Sequence, residues 1–179
     1  PTPALAYFAM QNAMPSIMIT GSHIPFERNG FKFYTATGGI TKADELSIQN
    51  APVSERSSDF CLAAMLQVDL AASVLYPKRY TGLFSSTALK GKRIGLYEHS
   101  GVGRDLITSV LKQLGAEVIS LDRTDTFVPI DTEAVSEADQ LKAFAWSKEW
   151  ALVAIVSTDG DADRPLISDE NGYWLRGDV

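Results

Sequence analysis

The sequence predicts an α/β protein built from two consecutive units. Short apolar segments suited to strands alternate with longer segments suited to helices, a pattern typical of a largely parallel sheet covered on both faces. The alternation pauses in a connector with a short helix, near residues 76–90, and then restarts. With 179 residues, 45% of them hydrophobic, the chain is long enough to bury a real core.

The first unit combines three helices with two neighbouring strands. Thr2 is a candidate cap for the first helix, and Pro3 suits its first position. Thr41 is placed to cap the second helix, and Pro77 is expected to close the third because proline interrupts helical hydrogen bonding. The expected helices cover residues 2–14, 41–51 and 57–75, and the expected strands cover 15–20 and 31–37.

The second unit repeats the strand–helix alternation and ends in a hairpin. Gly115 ends its first helix, and Asn171-Gly172 is a dipeptide typical of a tight turn between strands. The expected strands cover residues 92–97, 116–121 and 151–157, the helices 101–115 and 136–150, and the hairpin 165–179.

The net charge excludes two classes of partner. The chain carries 16 Lys and Arg against 22 Asp and Glu, a formal charge of −6. Phosphate backbones and anionic lipids do not attract such a protein, so we expect neither nucleic-acid nor membrane binding. No apolar stretch reaches the roughly 20 residues of a membrane span, and no signal peptide is visible.

Cysteine usage indicates a reducing compartment. Cys61 is the one cysteine, so an internal disulfide is impossible and a cytoplasmic location is expected. Cys61 falls on the apolar side of the predicted third helix, which favours a core position over a reactive thiol. The abrupt start "PTPALAYFAM" and the abrupt end "LRGDV" lead us to expect a fragment of a longer protein.

Three acidic residues follow a buried strand in the segment "IVSTDGDADRPL". Asp159, Asp161 and Asp163 occupy alternate positions, and in open α/β sheets ligands gather at the carboxyl ends of strands. Carboxylates this close repel one another unless a cation neutralises them. Because hard ions prefer oxygen ligands, the pattern predicts a Mg²⁺ or Ca²⁺ site.

Two other classes of site share part of this pattern. In an EF-hand, Glu170 would supply the last ligand of the loop, but Arg164 stands where the tight turn needs glycine and the flanks are strand-like. A haloacid-dehalogenase-like phosphatase would use an aspartyl nucleophile in an Asp-x-Asp pair, usually with threonine or valine at the position of Asp163. A structural calcium-binding module and such a phosphatase therefore remain the alternatives.

Two further loops carry residues that resemble catalytic or binding motifs. "EHSGVGRDL" follows a strand and opens a helix as a dinucleotide fingerprint does, but Leu106 replaces its third glycine, which favours an ordinary turn. Ser22 beside His23 is compatible with a hydrolase nucleophile and base. Adjacent side chains on an extended loop point apart, however, and the Gly-x-Ser-x-Gly elbow is absent.

The Ser-His segment and the acidic segment together resemble one known family. "TGSHIPFERNGFK", residues 20–32, resembles the phosphoserine signature of the α-D-phosphohexomutase superfamily, which contains phosphomannomutases and phosphoglucomutases. "DGDADR", residues 159–164, resembles its metal loop, and the two motifs occur in the family's order. Ile24 replaces the usual asparagine, and "EHSGVG" differs from the commoner Asp-x-x-Asn-Gly turn, which indicates a divergent branch.

The resemblance implies a fold and a domain organisation. We expect two three-layer α/β/α domains with mixed, mostly parallel sheets. Residues 1–80 would form most of the first domain, with the phosphoserine loop, and residues 81–179 the second, with the metal loop. Family members have a third and a fourth domain, which select the sugar and grip the substrate's phosphate, so we expect this fragment alone to be inactive.

The resemblance also implies an activity and the residues that carry it. The enzyme would be an intramolecular phosphotransferase that interconverts hexose 1-phosphate and hexose 6-phosphate, of mannose or glucose, through a bisphosphorylated sugar. Ser22 would carry the phosphoryl group, and Mg²⁺ would be held by Ser22 with Asp159, Asp161 and Asp163. Lys32 would transfer a proton, while His23 would orient the phosphate or substrate. Arg164 would offer its planar fork to a phosphate.

Overall fold

The structure, a computed structural model, describes residues 1–21, 27–52 and 67–175. Cys61 lies outside these ranges, as do Ser22 and His23. The described helices are α1 (Thr2–Gln11), α2 (Lys42–Gln49), α3 (Ala71–Thr81), α4 (Arg104–Gln113) and α5 (Glu137–Trp150). The described strands are β1 (Ser16–Thr20), β2 (Gly30–Thr35), β3 (Gly38–Gly39), β4 (Arg93–Tyr97), β5 (Glu117–Leu121), β6 (Ala154–Thr158), β7 (Pro165–Ser168) and β8 (Trp174–Leu175). No helix in the described ranges is long and apolar enough to span a bilayer.

The first sheet is an antiparallel meander in the order β1-β2-β3. Short connections dictate this direction, because parallel neighbours need a crossover of about a dozen residues or more. The register pairs Met18 with Lys32 and ends at Thr20 and Gly30. The segment that carries the Ser-His motif therefore connects two paired strands at one end of this sheet.

The second sheet is mixed, with the order β5-β4-β6-β7-β8. Strands β5, β4 and β6 run parallel, and β7 and β8 are antiparallel additions. All five strands occur close to where the sequence predicts them, and the expected α/β class with mixed sheets is confirmed. The carboxyl ends of β4 and β6 lie side by side, so the loops that follow these two strands meet at one edge of the sheet.

Helices lie on both faces of the second sheet. Ile155 belongs to a buried core with Ala143 of α5, Tyr97 of β4 and Leu166 of β7. Val156, the next residue of β6, faces the other way and lines a cavity with side chains of α4. Successive strand residues point to opposite faces, so β6 is sandwiched between helices and the acidic segment emerges from a rigid, buried strand.

Local sequence signals decide several element boundaries. Thr41 accepts a hydrogen bond from the backbone N–H of Asp44, whose carboxylate in turn accepts from the N–H of Thr41, so the predicted cap of α2 is confirmed as a complete capping box. Ser136 caps α5 in the same way, by accepting from the N–H of Asp139. The terminal hairpin turns over residues 169–172, as the Asn-Gly dipeptide predicts.

Two predictions about helix ends in the first unit are wrong. Residues 67–70 of the helix predicted over residues 57–75 are not helical, and the described helix α3 begins at Ala71 and continues through Pro77 to Thr81. Residues 57–66 lie outside the described ranges. Pro77 is buried, and the neighbouring ring of Tyr76 packs edge-on against Tyr7 of α1. Contact with α1 offsets the hydrogen bond that proline removes, so tertiary packing overrides the local signal.

Thr2 is not a cap either. It is the first residue of α1, and Pro1 occupies the N-cap position without a side-chain capping hydrogen bond. The Thr2 hydroxyl instead donates a hydrogen bond to the carboxylate of Asp161, in the second unit. A residue that local rules place at a helix end therefore serves a distant contact.

Gly172 provides a test of the contact between the terminal hairpin and α5. Its φ is +90°, and a Cβ added there would lie 2.6 Å from the carbonyl oxygen of Ala143. Gly91 has a similar φ of +77° but open space around the same position. We expect Gly91→Ala to cost about 1 kcal/mol of unfolding free energy from backbone strain alone. We expect Gly172→Ala to cost at least about 1–3 kcal/mol more, because α5 must move.

Urea denaturation of the two variants beside the unsubstituted chain measures this difference. If both variants lose the same free energy of unfolding, a Cβ at residue 172 does not clash with α5.

Candidate metal centre

The three aspartates converge directly after β6. Asp159 and Asp161 are 1% and 2% exposed, while Asp163 faces solvent. One carboxylate oxygen from each residue lies within 4.8 Å of the others. The three side chains therefore form a compact cluster of oxygens, which we call the acidic cluster, on the acidic loop of residues 159–164.

Hydrogen bonds within the loop build this arrangement. The Asp159 carboxylate accepts from the backbone N–H groups of Asp163 and Arg164, both at 3.2 Å. The N–H of Asp159 donates to the carbonyl oxygen of Arg164, and Ala162 adopts a left-handed φ of +62°. A short side chain that binds the backbone four and five residues ahead bends the loop back on itself. The bend brings the alternate aspartates to one side.

Asp161 is held by the first unit of the chain. Its Oδ2 accepts from the Thr2 hydroxyl at 2.6 Å and from the Lys32 ammonium at 2.8 Å, and its backbone oxygen accepts from the Thr2 N–H at 2.9 Å. Burial alone raises the pKa of this carboxyl, but the hydrogen bonds from Lys32 and Thr2 outweigh burial and lower the pKa to about 2. Asp161 is therefore ionised at every physiological pH.

Lys32 lies between two members of the acidic cluster. Its Nζ is 2.8 Å from Asp161 Oδ2 and 2.5 Å from Asp163 Oδ2. Partial burial alone lowers the pKa of Lys32, but hydrogen bonds to both carboxylates raise it above its ordinary value. The ammonium therefore stays charged in this arrangement and neutralises part of the acidic charge.

The acidic cluster fits a divalent cation. All its ligand atoms are carboxylate oxygens, which suit hard ions such as Mg²⁺ and Ca²⁺. Asp161 Oδ1 is buried and accepts no hydrogen bond within the described ranges. A buried anionic oxygen in that condition is costly unless a cation or water binds it. Because strands β6 and β7 flank the loop, the site does not have the helix–loop–helix form of an EF-hand.

A cleft separates the acidic loop from the first sheet. Its volume is about 330 Å³, and Gly160 and Asp161 line one side. Gly21, Arg28 and Asn29 line the other side. These three residues stand on either side of the Ser-His segment in sequence. Ser22 and His23 themselves are outside the described residues.

Arg164 points away from the acidic cluster. Its guanidinium pairs with Glu133 at 3.0 Å on the protein surface, and only its backbone takes part in the bend of the acidic loop. The predicted role of Arg164 in phosphate binding stays a prediction. In contrast, Thr2 joins the site although sequence reasoning assigns it to a helix cap. No local sequence pattern predicts this contact of Thr2.

The sequence also gives no sign of a loop that docks against the acidic loop. Residues 98–103, which we call the histidine loop, follow β4 and contact residues 158–162 through His99 and Val102. The sequence favours an ordinary turn for this segment, because its glycine spacing does not complete a dinucleotide motif. No local pattern shows that two loops after neighbouring strands will interlock.

An α/β fold with an acidic cluster at the carboxyl end of a parallel strand defines a class of ligand-binding α/β proteins. Comparisons with known proteins identify the family. Residues 1–57 match the family model for phosphoglucomutase/phosphomannomutase alpha/beta/alpha domain I, and residues 76–172 match the model for alpha/beta/alpha domain II. The chain belongs to the phosphoglucomutase/phosphomannomutase family.

Individual relatives agree with this assignment. The chain is 55% identical to a phosphomannomutase of Salmonella muenchen, over 100% of this chain and 37% of that protein. It is 46% identical to a phosphomannomutase of Sinorhizobium fredii, over 100% of this chain and 39% of that protein. It is 32% identical to phosphoglucosamine mutase 2 of Shewanella sp. (strain MR-4), over 99% and 41% respectively. The chain thus spans about two fifths of the length of these relatives.

Solved structures share the fold. A phosphoglucomutase/phosphomannomutase family protein from Burkholderia thailandensis superposes with a TM-score of 0.71 at 23% identity, over 98% of this chain and 40% of that one. A structure from Thermus thermophilus superposes with a TM-score of 0.76 at 23% identity, over 97% and 41%. These likenesses establish the fold of the described units.

The salt bridges of Lys32 generate a stability prediction. We expect Lys32→Met, measured with a chelator present, to lower the free energy of unfolding by about 2 kcal/mol. The substitution removes a charge-assisted hydrogen bond to a buried carboxylate and leaves the acidic cluster less neutralised. Lys42→Met is the matched control, since Lys42 pairs with Glu45 on the surface and is 90% exposed.

Exposed pairs contribute little, so the control should unfold at the same denaturant concentration as the unsubstituted chain. If both variants unfold alike, the ammonium of Lys32 does not stabilise the cluster.

Proposed function

We propose that this chain is part of a phosphohexomutase that interconverts hexose 1-phosphate and hexose 6-phosphate through a phosphoserine at Ser22. One observation carries the proposal. Lys32, from the segment that resembles the phosphoserine signature, contacts Asp161 and Asp163, from the segment that resembles the metal loop. The two motifs are 129 residues apart, counted from Lys32 to Asp161. Their meeting at one cleft is what phosphoryl transfer at a shared site requires.

The chemistry consists of two phosphoryl transfers in opposite directions. In the first, the bond between phosphorus and the Ser22 oxygen breaks, and a bond forms between phosphorus and a free hydroxyl of the hexose monophosphate. The hydroxyl proton passes to a base, and the serine oxygen ends as a hydroxyl. After the bisphosphorylated sugar turns over, its other phosphoryl group returns to Ser22 by the reverse steps. No net oxidant or further phosphate donor is consumed.

The residues of the site suit this reaction. Phosphoryl transfer depends on positioning and on neutralising negative charge more than on covalent assistance. Asp159, Asp161 and Asp163, with Ser22, would hold Mg²⁺, which supplies stabilisation of charge on the phosphoryl and leaving oxygens when bound. The buried position of Asp159 and Asp161 keeps these ligands rigid. His23 would orient the phosphate or substrate, and Arg164 would have to leave Glu133 to reach a phosphate.

Lys32 is the candidate for proton transfer. In the arrangement described, two carboxylates raise its pKa and hold its proton. Lys32 therefore becomes a useful proton donor or acceptor only when Asp161 and Asp163 are neutralised by another cation. Its place on the paired strand β2 keeps it beside the cleft in either case.

The relatives support a substrate class and further domains for the enzyme. Because this chain covers about two fifths of the phosphomannomutases it matches, we infer that third and fourth domains complete the enzyme, after domains at residues 1–80 and 81–179. The substrate would be a mannose or glucose phosphate, and the location would be cytoplasmic. The 55% identity to a phosphomannomutase favours mannose over an amino sugar.

Substitution of Ser22 tests the mutase directly. In the complete mutase that contains this chain, Ser22→Ala should reduce turnover below detection, because no oxygen is left to carry the phosphoryl group. Intact-mass analysis should find one phosphate on the unsubstituted protein and none on the variant. The variant should still bind Mg²⁺ through its aspartates. Asp161→Asn is the matched counterpart and should weaken Mg²⁺ binding while leaving Ser22 in place.

Substantial mutase turnover by the Ser22→Ala protein would refute the phosphoserine mechanism. A phosphate found on an aspartate would instead indicate a phosphatase of the haloacid-dehalogenase type.

The same proposal predicts that the 179-residue chain alone does not turn over hexose phosphates. A mutase must hold both ends of its sugar, and the groups expected to grip the distal phosphate lie in the proposed additional domains. A coupled assay of the chain with mannose 1-phosphate and glucose 1-phosphate should show no product. Normal turnover would mean that residues 1–179 contain the complete site.

A further inference from the structure

Side-chain hydrogen bonds continue the pairing of β4 with β6 beyond the last backbone pair. The backbone register between these strands ends at Leu96 and Val156. Beyond it, the Ser157 hydroxyl donates to the carbonyl oxygen of Tyr97 at 2.8 Å, and His99 Nε2 lies 2.9 Å from the carbonyl oxygen of Thr158. Two side-chain hydrogen bonds therefore replace ladder hydrogen bonds at the point where the acidic loop begins.

The bond from His99 defines the state of its ring. A carbonyl oxygen only accepts, so Nε2 carries the proton and donates. The ring is 1% exposed, and its burial lowers the pKa of the imidazole below its ordinary value. Nδ1 has no hydrogen-bond partner within the described ranges. The contact with Thr158 is therefore the one hydrogen bond of a neutral, buried ring in the described part of the chain.

The ring has little freedom to move. It packs edge-on against the ring of Tyr97, with centroids 5.3 Å apart. A Cβ at Gly101 would lie 3.0 Å from the imidazole Cε1, so glycine allows the histidine loop to close over the ring. Arg104 donates to the carbonyl oxygen of His99 at 3.1 Å and fixes the backbone from the other side. The φ of His99 is +33°, a conformation that these contacts hold.

The histidine loop contacts alternate positions of the acidic loop. His99 donates to the carbonyl oxygen of Thr158, and the N–H of Val102 donates to the carbonyl oxygen of Gly160 at 3.0 Å. A Cβ at Gly103 would lie 2.6 Å from the Cβ of Ala162, which shows how closely the backbones approach there. The positions contacted are 158, 160 and 162. They alternate with 159, 161 and 163, the positions of the acidic cluster.

This alternation links the histidine loop to the geometry of the cluster. A loop held at every second residue has little freedom to rotate the residues in between. We propose that His99 is a positioning residue that orients the acidic loop for cation binding, although it does not itself touch the cation. The inference rests on the proposed metal site. Groups that hydrogen-bond to a metal ligand typically change metal affinity about 10–100-fold when they are lost. His99 contacts Thr158, the residue before Asp159, so we expect an effect at the low end of that range.

Four variants of the complete protein that contains this chain test the proposal, with Mn²⁺ as the probe. His99→Phe keeps an aromatic ring against Tyr97 but removes the donor, and it should weaken Mn²⁺ binding about tenfold. His99→Gln places an amide N–H about as far from the backbone as Nε2 and should restore most of the affinity. His99→Asn also has an amide but is too short to reach Thr158, so it should bind as weakly as His99→Phe. It serves as the second donor-removing variant if His99→Phe does not fold.

Tyr97→Phe is the control for lost stability. It removes the hydrogen bond from the Tyr97 hydroxyl to Asp139 at 3.1 Å while leaving the ring beside His99. We expect it to lower the unfolding free energy without changing Mn²⁺ affinity. Electron paramagnetic resonance of free Mn²⁺ gives the affinity, and urea denaturation gives the stability.

The outcomes separate this inference from the proposed function. If the unsubstituted protein binds Mn²⁺ and both donor-removing variants bind it equally well, His99 has no positioning role and the metal site stands. If affinity falls in proportion to stability, including in Tyr97→Phe, the inference is likewise overturned. If the unsubstituted protein and Asp161→Asn both fail to bind Mn²⁺, the metal site itself is wrong and the inference falls with it.

Discussion

Mutual repulsion among three carboxylates is the constraint on which the site depends. At separations of 4.8 Å or less, two such charges repel by about 3–4 kcal/mol at an effective dielectric constant of about 20. Two of the three are buried, so solvent does little to screen them. The acidic cluster persists because donors surround it: backbone N–H groups on Asp159, the Thr2 hydroxyl on Asp161, and the Lys32 ammonium on Asp161 and Asp163. A divalent cation would supply the same compensation with a larger charge.

The parts of the fold that the sequence predicts well are those that local rules decide. The capping box at Thr41, the strands of the second sheet and the terminal turn at Gly172 each follow from a few adjacent residues. The predictions for Thr2 and for the helix around Pro77 are wrong because distant contacts decide them. Thr2 binds Asp161 in the second unit, and Pro77 lies in a helix that packs on α1. Neither partner is near in sequence, and no periodicity encodes it.

The candidate site likewise contains residues that local patterns predict and residues that distant contacts decide. Asp159, Asp161 and Asp163 are predictable as a cluster because they are almost contiguous and follow an apolar strand. Lys32 is predictable only through its membership of a family motif, since composition and spacing alone do not bring β2 to the end of β6. His99 cannot be predicted from the sequence, because its role depends on a hydrogen bond to the carbonyl oxygen of Thr158 on the neighbouring strand. Family resemblance identifies the residues of the two motifs, whereas the residues that contact those motifs from elsewhere in the chain are found only in the structure.

The contacts of Asp161 also join the two units of the chain. Thr2 begins α1, α1 lies against β1 and α3, and Lys32 lies on β2, which pairs with β1. Thr2 and Lys32 both donate a hydrogen bond to the same oxygen, Oδ2 of Asp161. The geometry of the acidic cluster and the placement of the first unit against the second therefore depend on the same contacts. Any ligand that binds the cluster more tightly when Thr2 and Lys32 are in place must also stabilise the closed arrangement of the two units, by the same free energy. A cation whose affinity depends on those contacts would therefore be thermodynamically linked to the assembly of the cleft.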